Sequence, residues 1–143
     1  MKKTSDAFDL SVKYGTPAFG NFKDVRGSLT RAQSGAKLTL RELLDIAYML
    51  YQIRMLSDWY ISCNDEETSI GYLFVSLAPN KYLEEKIKNA IISEDEISDM
   101  ASPALANIRR KIAQAGVKIR ESLDKLVRNA DVQKSLQENI VTM

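Results

Sequence analysis

One long helical pattern near the end of the printed sequence constrains the fold more than any other feature. Ser102 is a favourable N-cap, and Pro103 occupies the first helical position, where its missing N–H costs nothing. Beyond them, apolar residues recur at spacings of three and four, with Gly116 as the weak point: Leu105, Ile108, Ile112, Ala115, Ile119, Leu123, Leu126 and Ala130. A helix from Ser102 to Ala130 would be about 40 Å long, which predicts a lever or the spine of a bundle.

The rest of the chain has the pattern of shorter helices separated by Gly- and Pro-containing joints. Thr39 and Glu42 form a capping box that starts a long helix reaching about Ser62. The other predicted helices run from about Thr4 to Tyr14, Val25 to Ser34 (capped by Asp24), Lys81 to Ile92 (capped by Asn80) and Asp131 to Gln137, with a short one ending at Pro79 and a strand-like run after 137. In the segment before Pro79, the residue pattern distinguishes a helix from a strand least clearly.

These patterns together predict an all-α fold, a helical bundle with one long spine helix. We expect a single helical domain or fragment with three parts. Residues 1–38 form the N-terminal helices and a loop, residues 39–92 the central helices, and residues 102–137 the long basic helix and a short terminal helix. Trp59 and the tyrosines of the helix after Thr39 lie at core spacing, which favours packing over stacking on nucleic-acid bases.

Composition narrows the range of functions. The 143 residues include one cysteine and no histidine, which excludes an intrachain disulfide and a cysteine-cluster zinc site. The sequence contains no Gly-rich phosphate loop or nucleophile elbow, so we expect no catalytic residue, metal or cofactor in this segment. Cys63 is predicted to be half-buried near a helix end. No apolar run reaches the roughly 18 residues of a membrane span, so a cytoplasmic protein without membrane contact is expected.

The basic residues of the long helix suggest a partner. Net charge is only +1, so electrostatic attraction must come from a local patch. The residues favoured for nucleic-acid contact are Arg109, Arg110, Lys118 and Arg120. The alternative is a solvated helix face whose cations pair with the acidic joint of Glu94, Asp95, Glu96 and Asp99. The residues alone favour this alternative.

The order of several segments resembles a known family. These segments are "TPAFGNFKDVRGSLTRAQSGAKLTLRELLDIAYML", "SPALANIRRKI", "IRESLDKLV" and "VQKSLQENIVTM". Together they look like the N-terminal part of the helical core or lever domain (domain III) of the bacterial MutS type-two family, the MutS paralogues linked to recombination suppression. The stretch "CNDEETSIGYLF", within residues 63–74, matches none of the family's motifs.

The resemblance implies a role for the chain as part of a longer protein. Family members are dimeric ATPases with a phosphate-loop ATPase domain that uses ATP and Mg, and with a C-terminal nuclease domain. Both domains would lie outside this chain. The segment would be a non-catalytic lever that transmits ATP-driven motion to a clamp on branched DNA or on ribosomes, within a homodimer. A helical module for protein–protein interaction or dimerisation is the alternative.

Overall fold

The described residues fold mostly as helices. A computed structural model describes residues 2–63 and 67–129. Its elements are α1 (Lys2–Tyr14), α2 (Arg26–Gln33), α3 (Leu40–Ser62), α4 (Gly71–Val75), α5 (Lys81–Ala90), a 3-10 turn (Asp99–Ala101) and α6 (Pro103–Arg128). An isolated antiparallel bridge joins Ile91 to Ile97. Residues 2–63 and 67–129 contain no β-strand. The all-α prediction is confirmed. The predicted helix at 131–137 and the run after it lie outside the described residues.

The chain divides into two compact units, residues 1–98 and residues 99–143. The first unit contains α1 to α5, and α3 and α5 make its most extensive helix–helix contact. The described part of the second unit consists of the 3-10 turn followed by α6. The boundary between the two units falls within the acidic joint that precedes Ser102.

Side-chain caps start three of the helices where the sequence predicts them. The Thr39 hydroxyl accepts from the N–H of Glu42 at 3.3 Å, and the Glu42 carboxylate accepts from the N–H of Thr39 at 2.9 Å. Hydrogen bonds from the Thr39 backbone and the Ser28 hydroxyl lower the pKa of Glu42 to about 2. Asn80 caps α5 through the N–H of Leu83 at 3.0 Å, and Ser102 caps α6 through the N–H of Ala104 at 3.2 Å. These bonds satisfy backbone donors that a helix cannot satisfy internally.

Several predicted helix limits differ from the structure. Helix α1 begins at Lys2 rather than Thr4, and α2 spans Arg26–Gln33 rather than Val25 to Ser34. The N-cap of α2 is Val25, although the Asp24 carboxylate still accepts from the N–H of Arg26 at 3.1 Å. The segment before Pro79 is a helix as favoured, but α4 ends at Val75. Helix α5 ends at Ala90, two residues early, because Ile91 turns to extended backbone and pairs with Ile97.

The apolar core of the first unit joins α3 to α5. Ile46 and Ala47 of α3 pack with Ile87 and Ile91, and all four side chains are buried. Cys63, which directly follows α3, is fully buried, so the prediction that it is half-buried is wrong. Its thiol donates to the Trp59 carbonyl oxygen at 3.4 Å, a bond that the end of the helix makes possible.

A buried carboxylate reinforces the contact between the same two helices. Glu84 of α5 is only 3% exposed and accepts two hydrogen bonds from the Arg54 guanidinium of α3, at 3.0 and 3.2 Å. Lys88 donates a third at 2.8 Å, and both cations lie over the Tyr51 ring. The bonds from Arg54, and secondarily from Lys88, lower the pKa of Glu84 to about 2 against the opposing effect of burial. The ionised carboxylate is therefore the stable form in the fold.

Neutralising this carboxylate should weaken the first unit. Because the pKa of Glu84 is lowered on folding, its stabilisation is present above about pH 4.5 and is lost as the pH falls towards 2. We expect Glu84→Gln to lower the free energy of unfolding by about 3 kcal/mol at pH 7, because Arg54 and Lys88 lose the buried carboxylate that they share, and Arg54 keeps only its partly exposed pair with Asp58. The variant should also lose less stability on acidification. Urea unfolding between about pH 7 and 3 measures both effects.

The matched control is Glu85→Gln on the same helix. Glu85 forms only an exposed pair with Lys81 at 3.6 Å, so its substitution should change the unfolding free energy by less than about 0.5 kcal/mol. Equal effects of the two variants would contradict an anchoring role for Glu84.

Candidate nucleic-acid interface

Helix α6 exposes its charged residues along its whole length. It has 26 residues, which gives a length of about 39 Å, and none of them is buried. It carries seven cations against Glu121 and Asp124, a net charge of 7 − 2 = +5. Such a helix attracts polyanions locally even though the whole chain is nearly neutral.

The cations of α6 separate by residue type. At about 100° per residue, Arg109 and Arg120 point within about 20° of each other, and Arg110 and Arg128 point in one common direction about 80° further round. These four residues are called the arginine side. Lys111, Lys118 and Lys125 follow one another at intervals of seven residues and share another direction, called the lysine edge.

The four predicted contact residues therefore do not form one compact site. Arg109, Arg110 and Arg120 belong to the arginine side, but Lys118 lies on the lysine edge, about 160° around the helix from Arg120. The sequence pattern does show this division, since lysine recurs at 111, 118 and 125 while arginine occupies the other cationic positions. Plotting the positions around a helix identifies Arg128 as a further member of the arginine side.

One member of the arginine side already has an acidic partner. The Arg109 guanidinium lies 2.5 Å from the Asp99 carboxylate, so the alternative prediction of pairing with the acidic joint is confirmed at this position. Among the described residues, Arg109 is the one cation of α6 in a salt bridge. Glu94 of the joint instead pairs with Arg41 in the first unit, at 3.4 Å.

The first unit contains an apolar cavity of about 400 Å³. Its walls come from α1, the following loop, α3, α4 and the residues next to them: Ala7, Ser11, Pro17, Phe19, Leu56, Trp59, Ile70, Leu73, Phe74 and Leu77. The Trp59 indole N–H donates to the Gly15 carbonyl at 3.1 Å, while Phe74 stacks on Tyr60 with 4.6 Å between centroids. These contacts agree with the packing role predicted for Trp59 and Tyr60. Among the described residues, the lining has no carboxylate, lysine or arginine.

Two further features concern metal ligands and membrane spans. Within residues 2–63 and 67–129, no three His, Cys, Asp or Glu side chains are grouped as metal ligands would be. Over the same residues, no helix combines the length and the apolar character that a bilayer crossing requires.

Comparison with known proteins shows which proteins this chain resembles in sequence. It is 41% identical over 146 aligned positions to the Endonuclease MutS2 of Acetivibrio thermocellus and 38% identical over 145 to that of Ruminiclostridium cellulolyticum. Both alignments cover 100% of the chain. By sequence, the chain belongs to the MutS2 family. The Endonuclease MutS2 of Pelotomaculum thermopropionicum is 38% identical over 124 positions, which cover 87% of the chain. No protein-family model matches the chain.

The chain spans about a fifth of the length of these MutS2 relatives. It covers 18% of the Acetivibrio and Ruminiclostridium proteins and 16% of the Pelotomaculum protein. The predicted MutS type-two relationship is thus confirmed, whereas the position of the segment in the core domain stays a prediction. The nuclease activity in the relatives' names belongs to proteins about five times as long as this chain.

The packing of Trp59 can be tested against the alternative of base stacking. We expect Trp59→Leu to lower the free energy of unfolding by about 2–3 kcal/mol, because it removes buried ring area and the bond to Gly15. Nucleic-acid affinity, measured by fluorescence anisotropy, should not change. Tyr82→Leu is the control, since that ring is 73% exposed. A loss of affinity in Trp59→Leu at unchanged stability would support stacking instead.

Proposed function

We propose that this chain is a non-catalytic helical core segment of a cytoplasmic MutS-like DNA-binding ATPase. In this role α6 is a lever that transmits ATP-driven motion to a clamp on branched DNA or on ribosomes. The observation that carries the proposal is the MutS2 relationship over the full chain. ATP and Mg, the nuclease and the homodimer contacts are assigned to parts of the parent protein outside this segment.

The arginine side gives the proposed lever a means of contacting nucleic acid. Arginine presents a planar set of donors that binds phosphate in a bidentate manner, and it is more weakly hydrated than lysine. Arg110 and Arg128 point in the same direction about 27 Å apart along the helix, with Arg120 between them in the sequence. Two arginines that point in one direction, with a third about 80° around the helix from them, bind the phosphate backbone regardless of base sequence.

Charge reversal on the arginine side tests this contact. We expect Arg110→Glu, Arg120→Glu and Arg128→Glu together to weaken binding of the chain to a four-way DNA junction about 100-fold at ~50 mM salt. The slope of log affinity against log salt should become shallower by about 3 if three phosphate contacts are lost. Arg109 is left in place because it already pairs with Asp99. Anisotropy titrations at several salt concentrations give both quantities.

The control is the same charge change on the lysine edge, Lys111→Glu, Lys118→Glu and Lys125→Glu. It should weaken junction binding less, because these residues lie about 140–180° around the helix from Arg109 and Arg120, although only about 60–100° from Arg110 and Arg128. Equal losses would show that only net charge matters, and unchanged affinity in the arginine variant would overturn the proposed contact.

A lever must be stiff, and Gly116 is the position where stiffness is most easily tested. A Cβ at Gly116 meets no atom within 4 Å, so its substitution changes the helix and little else. In a Cys63→Ser background, spin labels placed at positions 107 and 124 should give one narrow distance near 25 Å. Gly116→Ala should keep that distance, and Gly116→Pro should broaden it by breaking the helix. A broad distribution without substitution at Gly116 would contradict a lever.

A second function, a helical interaction module, is supported by a different observation. The apolar residues of α6 remain open to solvent, and Ile108, Ile112, Ile119 and Leu126 are between 52% and 65% exposed. An apolar row of this length on a helix commonly marks a surface that another helix covers.

A further inference from the structure

The apolar residues of α6 follow the spacing of a two-helix seam. Counting from Leu105, alternating intervals of three and four connect six apolar residues, with the polar Ser122 in one position: Leu105, Ile108, Ile112, Ala115, Ile119, Ser122 and Leu126. In heptad notation, Leu or Ile fills every a position, and Ile, Ala and Ser fill the d positions. A strict alternation of three and four keeps one narrow seam facing a single partner helix.

The described residues of the second unit leave this seam largely uncovered. Leu105 is half-buried, but Ile108, Ile112, Ile119 and Leu126 are each more than half exposed, and no residue of α6 is buried. Small residues at Ala115 and Ser122 would allow a partner helix to approach closely at these levels. The seam thus has the composition and the exposure of an unpaired docking surface.

The charges beside the seam have one sign. The lysine edge occupies the g position before each of three a residues, as Lys111, Lys118 and Lys125. The e positions on the other flank are Arg109, Gly116 and Leu123. Neither flank carries a carboxylate. Residues at e and g contact the partner helix, and their charges determine which partner is accepted.

A second copy of this chain is a poor match for the seam. In an antiparallel pair of copies, the lysine edges of the two helices face each other and repel. In a parallel pair, Lys111 faces Gly116 and Lys118 faces Leu123, so no ion pair forms. Either orientation leaves the three lysines without a carboxylate.

We propose that the seam binds an amphipathic helix of a different sequence, with apolar residues at its a and d positions and Asp or Glu at the positions that face the lysine edge. This inference rests on the interaction function and deepens it by naming the chemistry of the partner. Opposite charges along the flank select the partner and its register, while the apolar seam supplies the buried contact. The lysine edge thereby has a role separate from that of the arginine side.

Two designed peptides of four heptads test the proposal on the full chain. Both have Ile at a and Leu at d, and they differ only in having Glu or Lys at every e and g position. Like charges at these positions keep each peptide from pairing with itself. At ~50 mM salt the chain should bind the Glu peptide at least about tenfold more tightly than the Lys peptide, as measured by anisotropy.

Two triple variants with equal charge change separate the possible outcomes. Lys111→Glu, Lys118→Glu and Lys125→Glu should reverse the preference, whereas Arg110→Glu, Arg120→Glu and Arg128→Glu should keep it. Equal binding of both peptides would overturn the acidic partner and leave the interaction function standing. Binding of neither peptide would overturn both. A dimer of the chain that excludes the peptides, seen by sedimentation, would assign the seam to a second copy.

Discussion

The burial of one charged side chain sets the relation between the two helices that carry the core of the first unit. A carboxylate at 3% exposure is tolerated only where hydrogen bonds replace its lost hydration, and Arg54 and Lys88 provide three. Since Arg54 belongs to α3 and Glu84 to α5, the bonds fix the rotation of one helix against the other. Ile46, Ala47, Ile87 and Ile91 can then pack in a single arrangement. The apolar contacts supply most of the stabilisation, and the ion cluster determines how the two helices are oriented against each other.

In α6, helical periodicity places three kinds of side chain on different sides of one helix. The apolar seam, the lysine edge and the arginine side point in different directions because their residues recur at different helical phases. In the proposed role, α6 holds a protein partner along the seam while its arginine side stays open to phosphate. This arrangement is compatible with a lever, since a lever must contact both the part that drives it and the ligand that it moves.

The sequence predicts helix starts far better than it predicts contacts. Thr39, Asn80 and Ser102 cap helices by bonds to residues two or three positions away, so their roles are visible without the fold. Helix α5 ends at Ala90 because Ile91 pairs with Ile97 across a turn. The helical spacing of the apolar residues continues past Ala90 and so does not predict this end. The Glu84 cluster joins residues 30 apart, so its partners are not visible in the local sequence, although the spacing of 84, 87 and 91 does place Glu84 on the buried face of α5 and Glu85 on the other side. The cations of α6 and their division into two directions are both visible in the helical spacing of the sequence, but the prediction grouped Lys118 with three arginines.

The most direct test of the two surfaces of α6 is whether DNA and a partner helix can bind to the chain at the same time. The affinity of the chain for a four-way DNA junction would be measured with and without a saturating concentration of the Glu-bearing peptide. If the seam and the arginine side are separate, the junction affinity should stay within about threefold, the small loss reflecting the charge of the bound peptide. Displacement of the junction by the peptide would contradict separate surfaces, and it would show that DNA and the helix compete for one basic face.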